Sequence, residues 1–437
     1  MASFDGEQDD SDIDTLIDHF TANGGILDPK LGFRKTIESG ISVVAKEEIQ
    51  AGSTVIAVPY DLLLSVERVK NYEPLRKIFV EQEQLNDFPD EVLAIGLMHA
   101  AVTGESCPWY KHVVTFPVEG MNSTIHWSEN ELEELKGCNV YTLTQMMIKQ
   151  IEADWEAVHS ALKQIYADVL GGITLNIYKW AMSIIYSRAV GIVNKEGSYE
   201  RVIPPVLDFV NHNPVEATET AEVFDFDVES NMLKFTVVKD KRPGEECFAV
   251  YGTYSNAKLA YNYGFIIPQN NHRGIDLWTK AAPHTSNGER KQHLLDNNDL
   301  TKEQKYDFEG TIRPDYISPA LLSTIRILNA TAEELQMADQ IQKAFMGRMI
   351  SPRNEEATYA SLRELLIAKI EPEKLAEDKL LLHDTLLANT PRSDRKVIAL
   401  FIRIDEQELY KETLDYVDRL MHKLSEESED YTPPDHR

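Results

Sequence analysis

The chain has 437 residues, 43% of them hydrophobic, and its 44 basic and 72 acidic residues leave a formal net charge of −28. A chain of this length exceeds one ordinary core, so we expect two or three. The negative charge argues against direct nucleic-acid binding, because a phosphate backbone would be repelled. It suits a basic protein partner, although solubility alone would explain it equally well.

Three cysteines, Cys107, Cys138 and Cys247, lack the CxxC spacing of a zinc site or disulfide scaffold. We expect buried thiols, a reducing compartment and no metal. The acidic N-terminus resembles neither a signal peptide nor a transit peptide, and no apolar run approaches the roughly 20 residues of a membrane span. The expectation is therefore a soluble protein of the cytoplasm, and also of the nucleus, with no membrane partner.

The N-terminal part is predicted to pass from a helix into two strands. Residues 1–12 read as an acidic arm. A short helix from about Ile13 to Thr21 follows, and Asn23-Gly24-Gly25 is a turn signal. From Ser39 to Pro59, runs of valine and isoleucine divided by polar residues predict two short strands.

From about Val66 to Gly191 the pattern is helical. Ser128-Glu129-Asn130-Glu131 has the form of a capping box. Leu143 to Leu170 reads as a helix that ends at the C-cap signal Gly171-Gly172, and another helix runs from Leu175 towards Arg188. One face of the Leu143–Leu170 helix is predicted to be apolar: Met147, Ile151, Val158, Leu162 and Ile165.

Strand-like alternation returns between Val202 and Tyr251, with Ser230-Asn231 as the turn of a hairpin. Residues 268–292 are rich in Asn, His, Pro and Gly and read as a linker. Beyond about Asp315 the chain is helical, with Ser318-Pro319 as N-cap and first helical residue. Three apolar faces are predicted there: Leu321, Ile325 and Leu328; Tyr359, Leu362, Leu366 and Ile370; Tyr410, Leu414, Val417 and Met421.

The segments that carry chemistry are DFVNHNP, residues 208–214, and FAVYGTYSNAKLAYNYGF, residues 248–265. SRAV, residues 187–190, precedes DFVNHNP by about 20 residues, and the second segment begins about 40 residues after the start of DFVNHNP. Motifs typical of P-loop NTPases, zinc proteases, α/β-hydrolases and Rossmann enzymes are missing from the sequence. Taken alone, each of these tyrosines could be a half-buried packing residue, and the Asn-His pair could cap a turn. Their order and spacing along the chain are what point to a common site.

In that order and spacing the chain resembles the SET-domain protein methyltransferases, in the branch of the Rubisco large-subunit lysine methyltransferase. The resemblance implies an α+β fold: a split SET domain over residues 20–268, with small β-sheets, a knot-like C-terminal part and a helical insertion at about 66–186. An acidic arm and short helix, 1–19, would precede it. A linker, 269–292, and an all-α substrate-binding domain with a loose acidic tail, 293–437, would follow.

The resemblance also implies site residues. Tyr251 falls on the family's catalytic tyrosine, and Arg188, Asp208 and Tyr263 on its substrate-lysine channel. The residues matching the cofactor site, with S-adenosyl-L-methionine as cofactor, are Gly40, Ile41, Ser42, Arg188, Asn211 and His212. In the family a Gly-x-Gly loop occupies positions 40–42. Here the second glycine is Ser42, which weakens the expectation, since glycine adopts backbone angles that serine avoids.

The resemblance implies a protein-lysine N-methyltransferase, and the residue types suit that reaction. A lysine amine with a pKa of about 10.4 must lose its proton before it attacks, which costs about 4.6 kcal/mol at pH 7. A dry channel beside a cationic sulfur lowers that pKa. Tyrosines can line such a channel and orient the amine without a carboxylate that would hold the ammonium form. The alternative is a catalytically silent SET-fold adaptor that binds a protein.

A related branch of the family methylates a histidine in actin. That branch has Asn where this chain has Val190, and Trp where it has Leu207. The apolar, less flat pocket predicted here suits the methylene stem of a lysine. We therefore expect a monomeric enzyme acting on a lysine of a basic cytosolic protein, such as a ribosomal protein or translation factor.

Overall fold

The computed structural model describes residues 10–36, 40–118, 121–213, 224–277, 287–298, 311–427 and 431–433. The chain divides into two compact units. The first unit consists of the described residues within Met1–His126, Thr144–Thr253 and Asn262–Gly264. The second consists of those within Trp127–Leu143, Tyr254–Tyr261 and Phe265–Arg437.

Short strands form several small sheets in the first unit. The largest sheet has four strands in the order β1-β4-β10-β9. A second sheet has three strands in the order β5-β7-β6, and the pairs β2-β3 and β8-β11 each form a two-stranded sheet. The strands are β1 Ile26–Leu27, β2 Leu31–Thr36, β3 Gly40–Ala45, β4 Thr54–Pro59, β5 Leu64–Ser65, β6 Val190–Val193, β7 Tyr199–Ile203, β8 Asn211–His212, β9 Phe224–Asp227, β10 Met232–Thr236 and β11 Phe248–Ala249.

The two strands predicted from residues 39–59 are β3 and β4, and the hairpin predicted at Ser230-Asn231 joins β9 to β10. Asn231 has φ 54°, the left-handed conformation that Asn tolerates in tight turns. The inward side chains of these sheets share one core, which includes Val43, Ile56, Val202 and Phe235.

A helical insertion stands between β5 and β6, as the sequence predicts. After α1, Asp10–Ala22, the helices in chain order are α2 Val66–Asn71, α3 Glu73–Glu81, α4 Pro89–Thr103, α5 Tyr110–Val113, α6 Glu129–Glu133, α7 Asn139–Asp154, α8 Ser160–Ile165, α9 Ala167–Leu170 and α10 Leu175–Arg188. The capping box at Ser128 is present, its hydroxyl and Glu131 bonding reciprocally. Thr174 caps α10 through the N–H of Ile177.

The apolar face predicted for residues 143–170 is wrong in its second half. Ile165 is 60% exposed and Val158 is 36% exposed, whereas Ile151 and Leu162 are buried. A π-helical turn, Trp155–His159, interrupts the helix. Because a π turn holds one residue more than an α turn, it rotates the side chains that follow it, and the simple 3.6-residue period fails there.

The second unit is dominated by helices. They are α11 Asn256–Lys258, α12 Gly288–Asn297, α13 Pro319–Asn329, α14 Ala332–Gln336, α15 Ala338–Phe345, α16 Pro352–Ile367, α17 Pro372–Leu387 and α18 Arg395–Glu427, with a small hairpin, β12 Ile312–Arg313 and β13 Tyr316–Ile317. Ser318 caps α13 and Pro319 is its first residue, as predicted. Tyr359, Leu362 and Leu366 are buried in the main core of this unit.

The predicted linker, 269–292, differs from the structure. Ile275 and Leu277 are buried in the main core of the second unit, and α12 already begins at Gly288. Residues 278–286 of the predicted linker, residues 1–9 of the predicted arm and the tail segments 428–430 and 434–437 lie outside the described residues. Residues 10–12, which were also predicted to belong to the arm, form the start of α1 instead. The composition of residues 269–292 resembled a linker because few of them are apolar, yet two of those few, Ile275 and Leu277, are buried.

The structure also differs from the prediction at Trp127–Leu143. The sequence analysis placed this segment in the helical insertion, whereas in the structure it belongs to the second unit. Polar contacts attach it to α18. The Asn139 N–H donates to both carboxylate oxygens of Glu406, at 2.9 and 3.0 Å. Arg403 donates to the Glu134 carboxylate at 2.8 Å. These contacts join residues distant in sequence, so local pattern could not indicate them.

The predicted α+β class is confirmed. In the described part of the chain, no helix combines the length and apolar character needed to cross a membrane. Over the same residues, no group of three or more His, Cys, Asp or Glu side chains lies where it could hold a metal ion. All three cysteines are buried, free thiols.

Candidate active site

The candidate site forms where two short strands of the first unit pair in parallel. Asn211 lies opposite Phe248 and His212 opposite Ala249, and the N–H of Asn213 donates to the Ala249 carbonyl at 2.9 Å. A parallel pair needs a crossover connection, and here that connection contains the β9-β10 hairpin. This pairing joins the two segments that the sequence singled out.

Tyr251 is held by three contacts to the DFVNH segment. Its N–H donates to His212 Nδ1 at 3.0 Å, its hydroxyl donates to the Val210 carbonyl at 2.8 Å, and its ring stacks on that of His212 with centroids 5.1 Å apart. Because His212 Nδ1 accepts a hydrogen bond, the neutral ring carries its proton on Nε2. The orientation of Tyr251 is therefore determined at both its backbone and its hydroxyl.

Tyr263 stacks on the other side of Tyr251, with ring centroids 5.2 Å apart and planes 27° apart. Gly264 follows in the left-handed region, with φ 81°. A Cβ at Gly264 would approach Asn122 C and Ser123 N to 2.5 Å. Glycine is thus required here both by conformation and by the close approach of another backbone. The result is an aromatic row of His212, Tyr251 and Tyr263.

Burial raises the pKa of Tyr251 well above its usual value of 10. Arg188 opposes that shift, whereas Asp208 and Glu246 add to it. Tyr251 is therefore a neutral phenol at physiological pH. A neutral phenol can orient an amine through its oxygen lone pairs without the negative charge that would stabilise an ammonium ion.

Arg188 and Asp208 form a buried ion pair beside the tyrosines. Arg188 Nη1 lies 2.9 Å from Asp208 Oδ2, and it also donates to the Asp208 carbonyl at 3.1 Å. The Asp208 side chain is fully buried, and His112 Nε2 lies 3.3 Å from the same oxygen. Burial alone would raise the pKa of Asp208, but His112 and Arg188 together hold it below 3.8.

The sequence analysis did not identify two residues that lie beside the Arg188–Asp208 pair, His112 and Phe116. They belong to the insertion, and their rings pack edge to face with centroids 4.6 Å apart. The Arg188 guanidinium lies over the Phe116 ring, 5.3 Å from its centroid. No signal in the sequence connects them to Asp208, because the contact depends on how the insertion folds.

Asn211 connects the site to β3. Its Nδ2 donates to the Ile41 carbonyl at 3.1 Å, to Ser42 Oγ at 3.2 Å and to Glu246 Oε1 at 2.8 Å. Glu246 is a further residue that the sequence analysis did not identify. The side-chain amide of Asn211 thereby fixes the distance between the DFVNH segment and the start of β3.

Gly40, Ile41 and Ser42 were expected in a loop, but they open strand β3, paired with Thr36, Lys35 and Arg34 of β2. Ser42 is fully buried, and it is not among the described residues with positive φ. An extended backbone accepts serine as readily as glycine. The missing second glycine therefore has no conformational cost here, and the Ser42 hydroxyl supports Asn211.

The backbone at Gly40 is open to a cofactor. This residue has φ 69°, and a Cβ built on it would meet no heavy atom within 4 Å among the described residues. The exposed start of β3 therefore has room for close approach to the backbone, next to the Ile41 carbonyl. The donor set beside it, with Asn211, His212 and Arg188, is polar and only half-buried. These residues fit a polar, nucleoside-containing cofactor.

Comparisons with known proteins agree with this geometry. Residues 282–409 match the family described as Rubisco LSMT substrate-binding. The actin-histidine N-methyltransferase of Homo sapiens is 23% identical over 430 residues, covering 94% of this chain and 69% of the relative. That of Gallus gallus is 24% identical over 428 residues, with the same coverage.

Two solved structures are similar over 95% of this chain and 93% of theirs, each at 20% identity. They are the SET domain of LSMT bound to lysine and AdoHcy, with a TM-score of 0.75, and Rubisco LSMT bound to AdoMet, with a TM-score of 0.73. These structural similarities show that the chain has the SET-domain fold. In sequence it is similar to the substrate-binding part of Rubisco LSMT in its C-terminal helical region and to protein methyltransferases over 94% of its length.

Proposed function

We propose that the protein is an S-adenosyl-L-methionine-dependent protein-lysine N-methyltransferase. The observation that carries the proposal is the position of Tyr251, bonded to Val210 and His212 and stacked between His212 and Tyr263. An aromatic row with a neutral phenol at its centre suits an amine that must be desolvated and deprotonated before it reacts. The similar LSMT structures, with lysine or AdoMet bound, support this assignment.

The cofactor supplies an electrophilic methyl group on a cationic sulfur, and the remaining tasks fall to the protein. Gly40, Asn211 and His212 hold it, with Arg188 nearby. Tyr251 and Tyr263 line the channel of the acceptor and exclude water from it. The Tyr251 oxygen donates its proton to Val210 O, so its lone pairs remain to accept an N–H of the amine and direct the nitrogen lone pair. Asp208 carries no free charge into the channel, because the Arg188 guanidinium pairs with it.

A histidine acceptor is the second candidate, because the named relatives are actin-histidine N-methyltransferases. An imidazole needs a polar group to fix its ring nitrogen and a broad wall to stack on. Val190 and Leu207 offer neither, since both are aliphatic, Leu207 is buried within the hydrophobic core of the first unit, and Val190 packs against that core. This favours lysine.

The preferred substrate class is a basic cytosolic protein, such as a ribosomal protein or translation factor, because the chain carries a net charge of −28. The protein would act in the cytoplasm, and as a monomer. A non-catalytic adaptor was favoured chiefly by Ser42, and the extended backbone at that position removes the conformational part of that argument.

Two measurements test the proposal. Calorimetry with S-adenosyl-L-methionine separates an enzyme from a silent adaptor, which would give no binding heat. Incubation of cytosolic proteins with the enzyme and isotope-labelled cofactor, followed by mass spectrometry with fragmentation, identifies the modified residue. Methyl-lysine is expected. A product confined to methyl-histidine would overturn the lysine assignment, and the absence of any cofactor-binding heat would favour the adaptor.

A further inference from the structure

The outer face of α17 is a stripe of three acidic and two leucine side chains. Glu373, Glu377, Leu380, Asp384 and Leu387 recur at intervals of three and four residues, and all five are exposed. Residues at this spacing lie on one side of an α-helix. We call this set the α17 stripe.

The exposure of its leucines is unusual for this chain. Leu380 is 62% exposed and Leu387 68%, and neighbouring Leu381 is 40% exposed. Among the residues that the structure describes, no other leucine is exposed. Single exposed apolar residues need no explanation, but three leucines within two turns of one helix form an apolar patch.

The inner face of α17 is firmly attached, so the stripe is presented on a fixed helix. Asp378 accepts from Arg403 Nη2 at 2.6 Å and from Nε at 2.9 Å, and both side chains are buried. Leu375 is buried on the same side. A bidentate buried pair of this kind holds the helix in place. A rigid, pre-formed surface loses little conformational entropy when a partner binds.

The charges of the stripe determine which partner fits. Among the described residues, Glu373, Glu377 and Asp384 make no ion pair. The neighbouring lysines are engaged elsewhere, Lys374 with Glu371 at 3.6 Å and Lys379 with Glu408 at 2.6 Å. A partner must therefore bring its own cations along with apolar side chains. A second copy of this chain would instead bring carboxylates against carboxylates, which costs free energy.

We propose that the α17 stripe docks a basic amphipathic helix of the protein substrate, its apolar side chains packing on Leu380 and Leu387 and its Lys or Arg side chains pairing with Glu377 and Asp384. Helices recognised in this way contribute apolar residues at every third or fourth position. The inference rests on the proposed function, because the occupant is taken to be the methyl-accepting protein. The α17 stripe lies within residues 282–409, the part of the chain that matches the Rubisco LSMT substrate-binding family, and this location agrees with a role in binding the substrate.

The test uses the full chain and two fluorescent 18-residue peptides of leucine and lysine. One has leucine at helical three-and-four spacing, and the other is a scramble of identical composition. Fluorescence anisotropy at about 0.1 M salt should give at least ten-fold tighter binding for the helical peptide. The double variant Leu380→Ser/Leu387→Ser should weaken that binding ten-fold or more. Glu377→Gln/Asp384→Gln should weaken it and reduce its dependence on salt.

Matched controls lie in the first unit. Val80→Ser/Ile165→Ser removes equally exposed apolar side chains, at 65% and 60%, and Glu47→Gln/Glu48→Gln removes the same charge. Neither should change binding by more than about two-fold. Equal binding of both peptides, or equal effects of the control variants, would show general attraction to an acidic protein and overturn the inference.

Two more readouts distinguish the remaining outcomes. Sedimentation that shows a dimer broken by the leucine substitutions would assign the stripe to a second copy instead. Calorimetry with S-adenosyl-L-methionine on the same samples separates the two proposals. Intact cofactor binding without peptide binding refutes only the docking surface, whereas no cofactor binding refutes the proposed function.

Discussion

The Tyr251 hydroxyl donates a 2.8 Å hydrogen bond to the carbonyl of Val210, two residues before His212, whose ring stacks on Tyr251. One hydrogen bond thus fixes the phenol of one motif against the backbone of the other. Because the phenol proton is used in this bond, the lone pairs of the Tyr251 oxygen remain able to accept a hydrogen bond. This relationship makes Tyr251 the most informative residue to change.

Tyr251→Phe should lower turnover ten-fold or more, at least about 1.4 kcal/mol of transition-state stabilisation, and leave cofactor affinity nearly unchanged. Steady-state kinetics on a native substrate and calorimetry measure the two quantities. Tyr60→Phe is the control, because it removes a 2.7 Å hydrogen bond to Glu200 outside the site. Wild-type turnover in Tyr251→Phe would exclude the catalytic role.

Asn211→Ala should weaken S-adenosyl-L-methionine binding ten-fold or more, because Nδ2 joins the Ile41 carbonyl, Ser42 and Glu246. Ser42→Ala removes only the longest of these contacts, 3.2 Å, and should change affinity less than three-fold. Calorimetry on both variants is the measurement. If Ser42→Ala proved as damaging as Asn211→Ala, the connecting role assigned to Asn211 would be wrong.

Gly264→Ala should destabilise the protein by more than about 1 kcal/mol and lower turnover, since its Cβ would lie 2.5 Å from the backbone at Asn122 and Ser123. Gly197→Ala is the matched control, with φ 77° but no described atom within 4 Å of its Cβ. The Gly197→Ala variant therefore has the conformational cost of a positive φ but no steric clash. Thermal unfolding and kinetics compare the pair, and equal effects on both readouts would contradict a steric role next to Tyr263.

Asp208→Asn should destabilise the protein by about 3 kcal/mol, because it leaves Arg188 and His112 beside a neutral group in a buried site. Asp90→Asn, in a partly exposed pair with Arg201, should cost clearly less. The pKa of Asp208 is depressed below 3.8. Its contribution is therefore complete above about pH 4 and lost only as pH falls through the lower folded value. Denaturant unfolding at pH 7 and below pH 4 would measure both effects, and equal losses in the two variants would argue against a buried pair.

Glu406 should make the protein less stable as pH rises. Burial raises its pKa to about 7 from an ordinary value of 4.5, although the Asn139 N–H lowers it. Between those two values the folded state binds more protons than the unfolded state, so stability falls with increasing pH, by on the order of 3 kcal/mol. Asp405, whose pKa burial raises to about 6, acts in the same direction.

Glu406→Gln keeps an oxygen that can accept the Asn139 N–H but removes the charge. The variant should show a flatter dependence of its unfolding midpoint on pH between 5 and 8, and it should be more stable than the wild type at pH 8. Thermal unfolding at several pH values measures this. Identical pH profiles for the two proteins would mean that Glu406 titrates normally in the folded state.

Features determined by neighbouring residues were predictable from the sequence. The capping box at Ser128, the start of α13 at Ser318-Pro319 and the hairpin turn at Asn231 each depend on a few adjacent side chains. The order and spacing of the two motifs also indicated the fold, and the structure brings Tyr251, Tyr263 and the Asn-His pair together.

Only the tertiary structure decided which distant residues support that site. Asn211 contacts the Ile41 carbonyl across 170 residues of chain, and Glu406 attaches the start of α7 across 267. Tertiary packing likewise brings His112 to Asp208 and gives Ser42 an extended backbone instead of a loop. Such contacts depend on how separate helices and strands pack against each other. The periodicity of a local sequence segment does not indicate which distant residue its side chains will contact.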